Sequence, residues 1–206
     1  MRIPFIKREI IVSQSRIDFI QNTRGGSPMV LAGGIYWAVS GCAALLMTPK
    51  ESSLIFIYGG IIIPFLGFLL AKLLNVSLLQ RSDYTSLTIL SSMFVPFCLP
   101  ILFLASRYNP SVVAPTLAVL NGAHFLIMMW IHLDYIFFLL ADVQLIIGIL
   151  FLFSFPSVAP VAVSFISALV TLFSGTVLYF TSTSPLQGYK VQIITETRTY
   201  AETPDM

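Results

Sequence analysis

Residues 135–155 read YIFFLLADVQLIIGILFLFSF, an apolar run that carries a single acidic residue, Asp142. A helix rises about 1.5 Å per residue, so about 20 residues cross the roughly 30 Å hydrocarbon core of a bilayer. The run is continuously apolar and lacks the alternation that membrane barrels require. It therefore predicts a membrane-spanning helix, in which every backbone group is paired within its own segment.

The rest of the chain has the same character. Of its 206 residues 57% are apolar and 10% are charged, and the mean hydropathy is +0.91. Soluble domains carry about 25% charged residues, so this composition favours an all-α, polytopic membrane bundle. The predicted spans are 27–47, 54–74, 85–105, 112–131, 135–155 and 161–180. Short loops join them, so we expect one membrane domain over 27–180, flanked by tails 1–26 and 181–206.

Positive charge divides unequally between the two ends of the predicted bundle. Two cations, Lys50 and Arg107, fall on one side. The other nine are Arg2, Lys7, Arg8, Arg16, Arg24, Lys72, Arg81, Lys190 and Arg198. The positive-inside rule then places both termini in the cytoplasm of a cell, inner or plasma, membrane.

The two tails have weaker patterns. Isoleucines share one helical stripe in the N-terminal segment, at Ile3, Ile6, Ile10, Ile17 and Ile20. This stripe predicts an amphipathic helix at the cytoplasmic interface, with a helix that caps the bundle as the alternative. The C-terminal tail alternates apolar and polar residues from Val191, which is typical of a short strand or of a disordered segment.

Glycines recur with the same spacing in the first two spans, where Gly34 and Gly41 are matched by Gly60 and Gly67. Small residues let membrane helices approach closely, so we expect tight packing between these two helices. A functional alternative is a helix break around a substrate, which Pro64 keeps open. By the same reasoning Pro96 and Pro100 should distort the third helix, and Pro115 the fourth.

Polar side chains within the spans are few, and two of them lie at one depth. His124 and Asp142 are each nine residues from Leu133, the centre of a predicted turn, and so lie about 13 Å from that turn. A carboxylate at this depth needs a partner, which predicts a His124–Asp142 pair acting as a proton relay, or only as a contact between helices. The pair fails if the two residues do not face each other.

The other polar residues of these two helices can be placed relative to His124 and Asp142. Asn121 shares the face of His124, Gln144 lies on a different face from Asp142, and His132 and Asp134 lie at the turn. His124 and His132 are about 12 Å apart along one helix, too far for one compact metal site. We expect no metal, no cofactor and no nucleic-acid partner.

Several motifs resemble those of a family of small, uncharacterised bacterial multi-pass membrane proteins, over roughly residues 10–180. The most distinctive motif is Gly122-Ala123-His124-Phe125. The others are Arg24-Gly25-Gly26, Pro28-Met29, Gly33-Gly34 with Tyr36-Trp37, and Ile62-Ile63-Pro64. The resemblance implies a helical membrane fold and no known activity.

Three functions fit this sequence. The first is a small proton-linked transporter or permease that uses His124 and Asp142. The second is a structural or regulatory membrane protein that acts through helix partners, either a second copy or another chain, on exposed small-residue faces. The third is an enzyme acting on lipid, with His124 as general acid–base, for which no nucleophile or metal set stands out. An enzyme is the least favoured reading.

Overall fold

The computed structural model describes residues 10–80, 82–182 and 191–194. Within them, six helices are long and apolar enough to cross a membrane, which confirms the predicted all-α membrane fold. They span Arg24–Leu46, Pro49–Leu73, Asp83–Tyr108, Pro110–His132, Tyr135–Ser154 and Ala159–Thr181. We call them the first to sixth membrane helices.

The regular elements follow one another along the chain. They are β1 (Ile10–Ser13), α1 (Gln14–Asn22), α2 (Ser27–Leu46), α3 (Pro49–Tyr58), α4 (Ile62–Leu73), α5 (Asp83–Ser92), α6 (Phe94–Phe97), α7 (Leu99–Tyr108), α8 (Val113–His132), α9 (Tyr135–Ser154), α10 (Ala159–Thr181) and β2 (Val191–Ile194). Short 3₁₀ turns occupy Arg24–Gly26, Gly59–Ile61 and Pro110–Val112.

Two of the six membrane helices are interrupted, and proline accounts for both interruptions. A 3₁₀ turn at Gly59–Ile61 separates α3 from α4, since Pro64 has no N–H to donate to the carbonyl of Gly60. The third membrane helix is broken into α5, α6 and α7, as Pro96 and Pro100 predict. Pro115, in contrast, does not break its helix. It lies in the first turn of α8, where a missing N–H costs little.

The third membrane helix is the most peripheral of the six. Only 11% of its apolar window is buried, against 44% for the fourth and sixth helices. Two antiparallel pairs form the body of the bundle, α2 with α10 and α8 with α9. The third membrane helix packs mainly along α8, so it lies against this body rather than within it.

The glycines of α2 approach a different helix from the one that the sequence suggested. A Cβ on Gly34 would lie 3.0 Å from the backbone nitrogen of Leu172 in α10, and one on Gly41 would lie 3.1 Å from the Cβ of Ser164. Gly67 does meet the first membrane helix, at the side chain of Met29. Gly60 has open space around its Cβ position. The close contact of the first membrane helix is therefore with the sixth.

The N-terminal segment folds against one end of the bundle. Ile17, Phe19 and Ile20 of α1 are buried, and Phe19 and Ile20 join a cluster with Ile131 and Phe137. Helix α1 thus caps the bundle, the alternative that the sequence left open. Ile10 lies in β1, outside this helix, so the predicted stripe is not continuous. Ile3 and Ile6 lie outside the described residues.

Two short segments, residues 10–13 and 191–194, form a two-stranded parallel sheet. Strand β1 pairs with β2 in the register Ile10 with Val191 and Ser13 with Ile194. The C-terminal segment thus forms the short strand that was one of its two predicted states. This pairing holds residues 10–13 and 191–194 at the same end of the bundle.

Candidate functional site

The imidazole of His124 contacts the third membrane helix. Its Nδ1 atom lies 3.1 Å from the carbonyl oxygen of Ser91 and 3.2 Å from the Ser91 hydroxyl oxygen. Ser91 is the penultimate residue of α5, just before the interruption at Met93. The predicted hydrogen bond between His124 and Asp142 is absent from the described part of the chain.

The interruption of the helix explains this contact. The last carbonyls of a helix have no donor within the helix, and in a bilayer water is not there to replace it. A carbonyl oxygen can only accept, so a hydrogen bond to the Ser91 carbonyl requires a proton on Nδ1 of His124. In the other neutral tautomer Nδ1 accepts from the Ser91 hydroxyl instead.

The rotation of α8 explains why His124 does not face Asp142. Gly122 is a point of close approach to α9, since a Cβ there would lie 3.0 Å from the carbonyl oxygen of Ala141. Successive residues turn about 100° around a helix, so His124 lies about 200° from Gly122. Asn121 is half-buried one turn before His124 and has no hydrogen bond within the described residues.

Asp142 lies on the outer side of α9. The buried residues of this helix are Phe137, Leu140, Ala141, Gln144, Ile147 and Gly148. Asp142 falls between Leu139, Ile146 and Ile149, which are 46%, 64% and 50% exposed. It is half-buried and makes no hydrogen bond or ion pair within residues 10–80 and 82–182. It lies about 10 Å along the helix from Tyr135, well inside the apolar segment.

Gln144 faces the opposite way and joins two helices. It is fully buried, and its Oε1 atom accepts a hydrogen bond from the Ser167 hydroxyl of α10 at 3.2 Å. Its Nε2 atom has no hydrogen-bond partner among residues 10–80, 82–182 and 191–194. Gln144 thus links α9 to the sixth membrane helix, in keeping with its predicted placement away from Asp142.

His132 closes the end of the bundle that α1 caps. Its ring is buried between those of Phe19 and Phe137, with centroid distances of 5.4 Å and 5.2 Å. Neither nitrogen has a hydrogen-bond partner in the part of the chain that the structure describes. Gly26 contacts the ring, and a Cβ there would lie 3.2 Å from Nε2. Gly25 and Gly26 also have positive φ angles of 61° and 74°, so this turn needs glycine for its backbone as well as for space.

Charged groups surround His132 without bonding to it. Arg16 donates from Nε to the carbonyl oxygen of Ile131 at 3.1 Å and from Nη2 to that of Trp130. Partial burial lowers the pKa of Arg16. Asp134 caps α9 by accepting the N–H of Ile136 at 2.9 Å. Burial raises the pKa of Asp134, although the hydrogen bond from Ile136 opposes the rise.

The contacts of Ser91 and Arg16 were not predicted from the sequence. Pro96 could have indicated the contact of Ser91, because a helix break in a bilayer leaves carbonyl groups that need hydrogen-bond donors. Apart from its charge, no sequence feature indicated the contact of Arg16, because its acceptors are backbone carbonyl groups. No group of three or more histidine, cysteine, aspartate or glutamate side chains that could hold a metal occurs among the described residues.

The chain belongs to a family of unknown function, DUF7010, whose model matches residues 12–181. The match covers all six membrane helices. No curated protein and no solved structure matches the chain. The fold and the site are therefore the basis for a functional argument.

Proposed function

We propose that this member of a family without an assigned activity is a structural or regulatory membrane protein that associates laterally with another membrane helix through the outer face of α9. The observation that carries this proposal is Asp142, a carboxyl on the outside of an apolar helix with no hydrogen-bond or ion-pair partner among the described residues. An ionised carboxylate inside hydrocarbon costs several kcal/mol unless it is paired. A partner helix would remove that cost.

The surroundings of Asp142 support a helix as the partner. Leu139, Ile146 and Ile149 lie three residues before it and four and seven after it, so the four side chains form one stripe. Such a stripe suits the packing of a second helix along α9, and the carboxyl would supply a directional bond within an apolar contact.

The partner must bring a hydrogen-bond donor or a cation to the depth of Asp142. A second copy of this chain meets that requirement, because two neutral carboxyl groups can each donate a hydrogen bond to the other across a two-fold axis. Such a reciprocal pair would carry no charge in the bilayer and would fix the register of the two helices.

Cysteine crosslinking in native membranes tests the proposal. In a background with Cys42→Ser and Cys98→Ser, Ile146→Cys places a thiol one turn from Asp142. We expect a disulfide-linked species with Asp142 and with Asp142→Asn, which retains a hydrogen-bonding group, and its loss with Asp142→Leu. Phe173→Cys, on an exposed face of α10, is the control that should not crosslink.

The mass of the crosslinked species identifies the partner. Twice the mass of the chain means a second copy, and any other mass means a different membrane protein. Crosslinking that persists with Asp142→Leu, or that is absent with Asp142 itself, would contradict the proposal.

A second candidate function is proton-linked transport through His124. It is favoured by one observation, the contact of a titratable ring with an interrupted membrane helix, since transporters use discontinuous helices at their binding sites. The test is pH-gradient-driven flux in liposomes. Transport predicts that His124→Gln abolishes flux and that Asp142→Asn does not. Under the association proposal neither variant shows any flux to lose.

The proposal also includes the orientation of the chain in the membrane and its division into one membrane domain and two tails. The excess of cations beside the termini supports a cell membrane location with both termini in the cytoplasm. Residues 27–180 would then form the membrane domain, and the tails 1–26 and 181–206 would lie on the cytoplasmic side.

A further inference from the structure

A cavity of about 270 Å³ opens at the end of the second membrane helix. One wall is formed by Phe68, Ala71 and Lys72 of α4, and the other by residues 76–79 of the loop that follows. Lys72 is at the last turn of α4, so the cavity lies where the apolar segment ends. It is separate from His124, Asp142 and His132.

The loop that forms the second wall is held in place by backbone contacts. Asn75 adopts a left-handed conformation with φ of 53°, which turns the chain back onto α4. The N–H of Val76 then donates to the carbonyl oxygen of Ala71 at 2.8 Å, and that of Ser77 to the carbonyl oxygen of Asn22 at 3.1 Å. These two bonds hold the loop against α4 and α1, so the cavity between α4 and residues 76–79 is part of the fold.

The groups around the cavity suit a phosphate group. The exposed Lys72 ammonium makes no ion pair, and the hydroxyl of Ser77 makes no hydrogen bond, within the part of the chain that the structure describes. The same holds for the backbone N–H groups of Leu78 and Leu79. An ammonium with nearby N–H and O–H donors is a common arrangement for binding phosphate oxygens.

The rest of the cavity suits a hydrocarbon chain. Phe68 and Leu79 are 43% and 68% exposed, and both contribute to its walls. A soluble phosphate would gain nothing from these side chains, whereas a phospholipid would place its headgroup at Lys72 and an acyl chain along Phe68. Lys72 supplies the positive charge that would attract a negative headgroup.

We propose that this cavity binds a phospholipid with a net negative headgroup, recognised by Lys72 and by the free donors of residues 77–79. This inference does not depend on lateral association or transport. It assigns a lipid site to a part of the chain that neither function uses.

Native mass spectrometry of the full chain, extracted from vesicles of equal phosphatidylglycerol and phosphatidylcholine, tests the site. The measured quantity is the ratio of the two lipids that stay bound. We expect Lys72→Gln to lower the preference for phosphatidylglycerol about fivefold, the effect of one basic residue near an anionic surface. Lys72→Arg should keep it. Lys50→Gln, which removes a cation at the opposite end of the same membrane helix, is the matched control and should leave the ratio unchanged.

Inorganic phosphate distinguishes a site that binds only a phosphate group from a site that also binds the acyl chain of a lipid. In neutral detergent, thermal protection by phosphatidylglycerol and not by millimolar phosphate would support the proposal. Protection by phosphate alone that equals protection by the lipid would overturn it, because the acyl wall would then play no part. Equal lipid ratios for Lys72→Gln and Lys50→Gln would overturn it as well.

Discussion

His124 holds the third membrane helix against the fourth at the point where the third is interrupted. Its Nδ1 atom lies 3.1 Å from a main-chain carbonyl oxygen, that of Ser91, which is present whatever the side chain at that position. Substitution of the serine side chain would leave this contact in place, whereas substitution of the histidine would remove it. Since the third membrane helix buries little else against the bundle, this one bond matters for its position.

Substitutions at His124 and Ser91 should therefore have unequal effects. His124→Phe removes the donor and should destabilise the protein by about 1 kcal/mol, the usual size of a polar contact between membrane helices. Ser91→Ala leaves the carbonyl bond in place and should cost less. Ser92→Ala is the control, because its hydroxyl bonds only within its own helix. Thermal unfolding in detergent measures all three, and equal losses for His124→Phe and Ser92→Ala would contradict this account.

Asp134 should give the protein a pH dependence in the acid range. Burial raises its folded pKa above the ordinary value of 3.8, so the folded protein binds this proton more tightly than the unfolded chain. The free energy of unfolding should then fall as the pH rises from about 3.8 through the folded pKa.

The variant Asp134→Asn keeps an oxygen for the cap of α9 and removes the titration. Melting temperatures between pH 3.5 and 7 should lose this dependence in Asp134→Asn. They should retain it in Asp83→Asn, which alters an exposed carboxyl in the first turn of α5. A wild-type melting temperature that rises with pH relative to that of Asp134→Asn across this range would show the opposite sign and refute the assignment.

The sequence could predict the depth of the polar residues in the fourth and fifth membrane helices but not their direction. His124 and Asp142 are equidistant from Leu133, and the structure has them on antiparallel neighbours, as that arithmetic requires. What decides their pairing is the rotation of each helix, set by Gly122 against Ala141. That rotation results from packing over the whole interface, which no local pattern reports.

At the scale of helices, the close contact of the first and sixth membrane helices depends on glycine. Gly34 of α2 and Gly175 of α10 each bring the backbone of one helix against the side chains and backbone of the other. The glycines in the sequence predicted that the first membrane helix packs closely against a neighbouring helix. It could not show that the neighbour is the sixth helix, because the second helix carries glycines with the same spacing.

Two glycine substitutions should distinguish the close contact of Gly34 with α10 from the close contact that the sequence predicted at Gly60. In Gly34→Ala the new methyl would lie 3.0 Å from the backbone nitrogen of Leu172, and we expect a loss of about 1–3 kcal/mol from overpacking. Gly60→Ala meets no atom within 4 Å and should be neutral or slightly stabilising. Urea-assisted thermal unfolding compares the two. Equal losses would show that Gly60 also lies in a close contact.

Arg16 fastens α1 to the C-terminal end of α8. Its planar guanidinium reaches two successive carbonyls, those of Trp130 and Ile131, which a lysine cannot do with one ammonium. Arg16→Lys should therefore loosen α1. Hydrogen exchange of the amides in residues 14–22 should become about tenfold faster, as expected for the loss of a bond to a charged group. Arg107→Lys, at the other end of the bundle, should leave that exchange unchanged.

For the whole molecule, charge predicts an orientation that labelling can test. Single cysteines at Lys50 and Arg107 should react with a membrane-impermeant maleimide added to intact cells. A cysteine at Ser77, on the cation-rich end, should react only after the membrane is opened. The reverse pattern would place the termini outside.

The six membrane helices were the most predictable part of the molecule, because the bilayer demands long apolar segments whatever their tertiary partners are. The ends were the least predictable. Ile10 fits a helical stripe and also fits a strand, and only the presence of a partner at Val191 favours the strand. A segment this short takes its structure from its neighbours.

The pairing of β1 with β2 has a consequence for the order of biosynthesis. Strand β1 leaves the ribosome before any membrane helix, yet its partner emerges only after the last one. Throughout translation and insertion β1 therefore presents an unpaired edge. The sheet can close only when synthesis has passed residue 194, so its closure marks a chain whose six helices have all been made. A nascent chain stalled earlier would keep that edge open to other proteins.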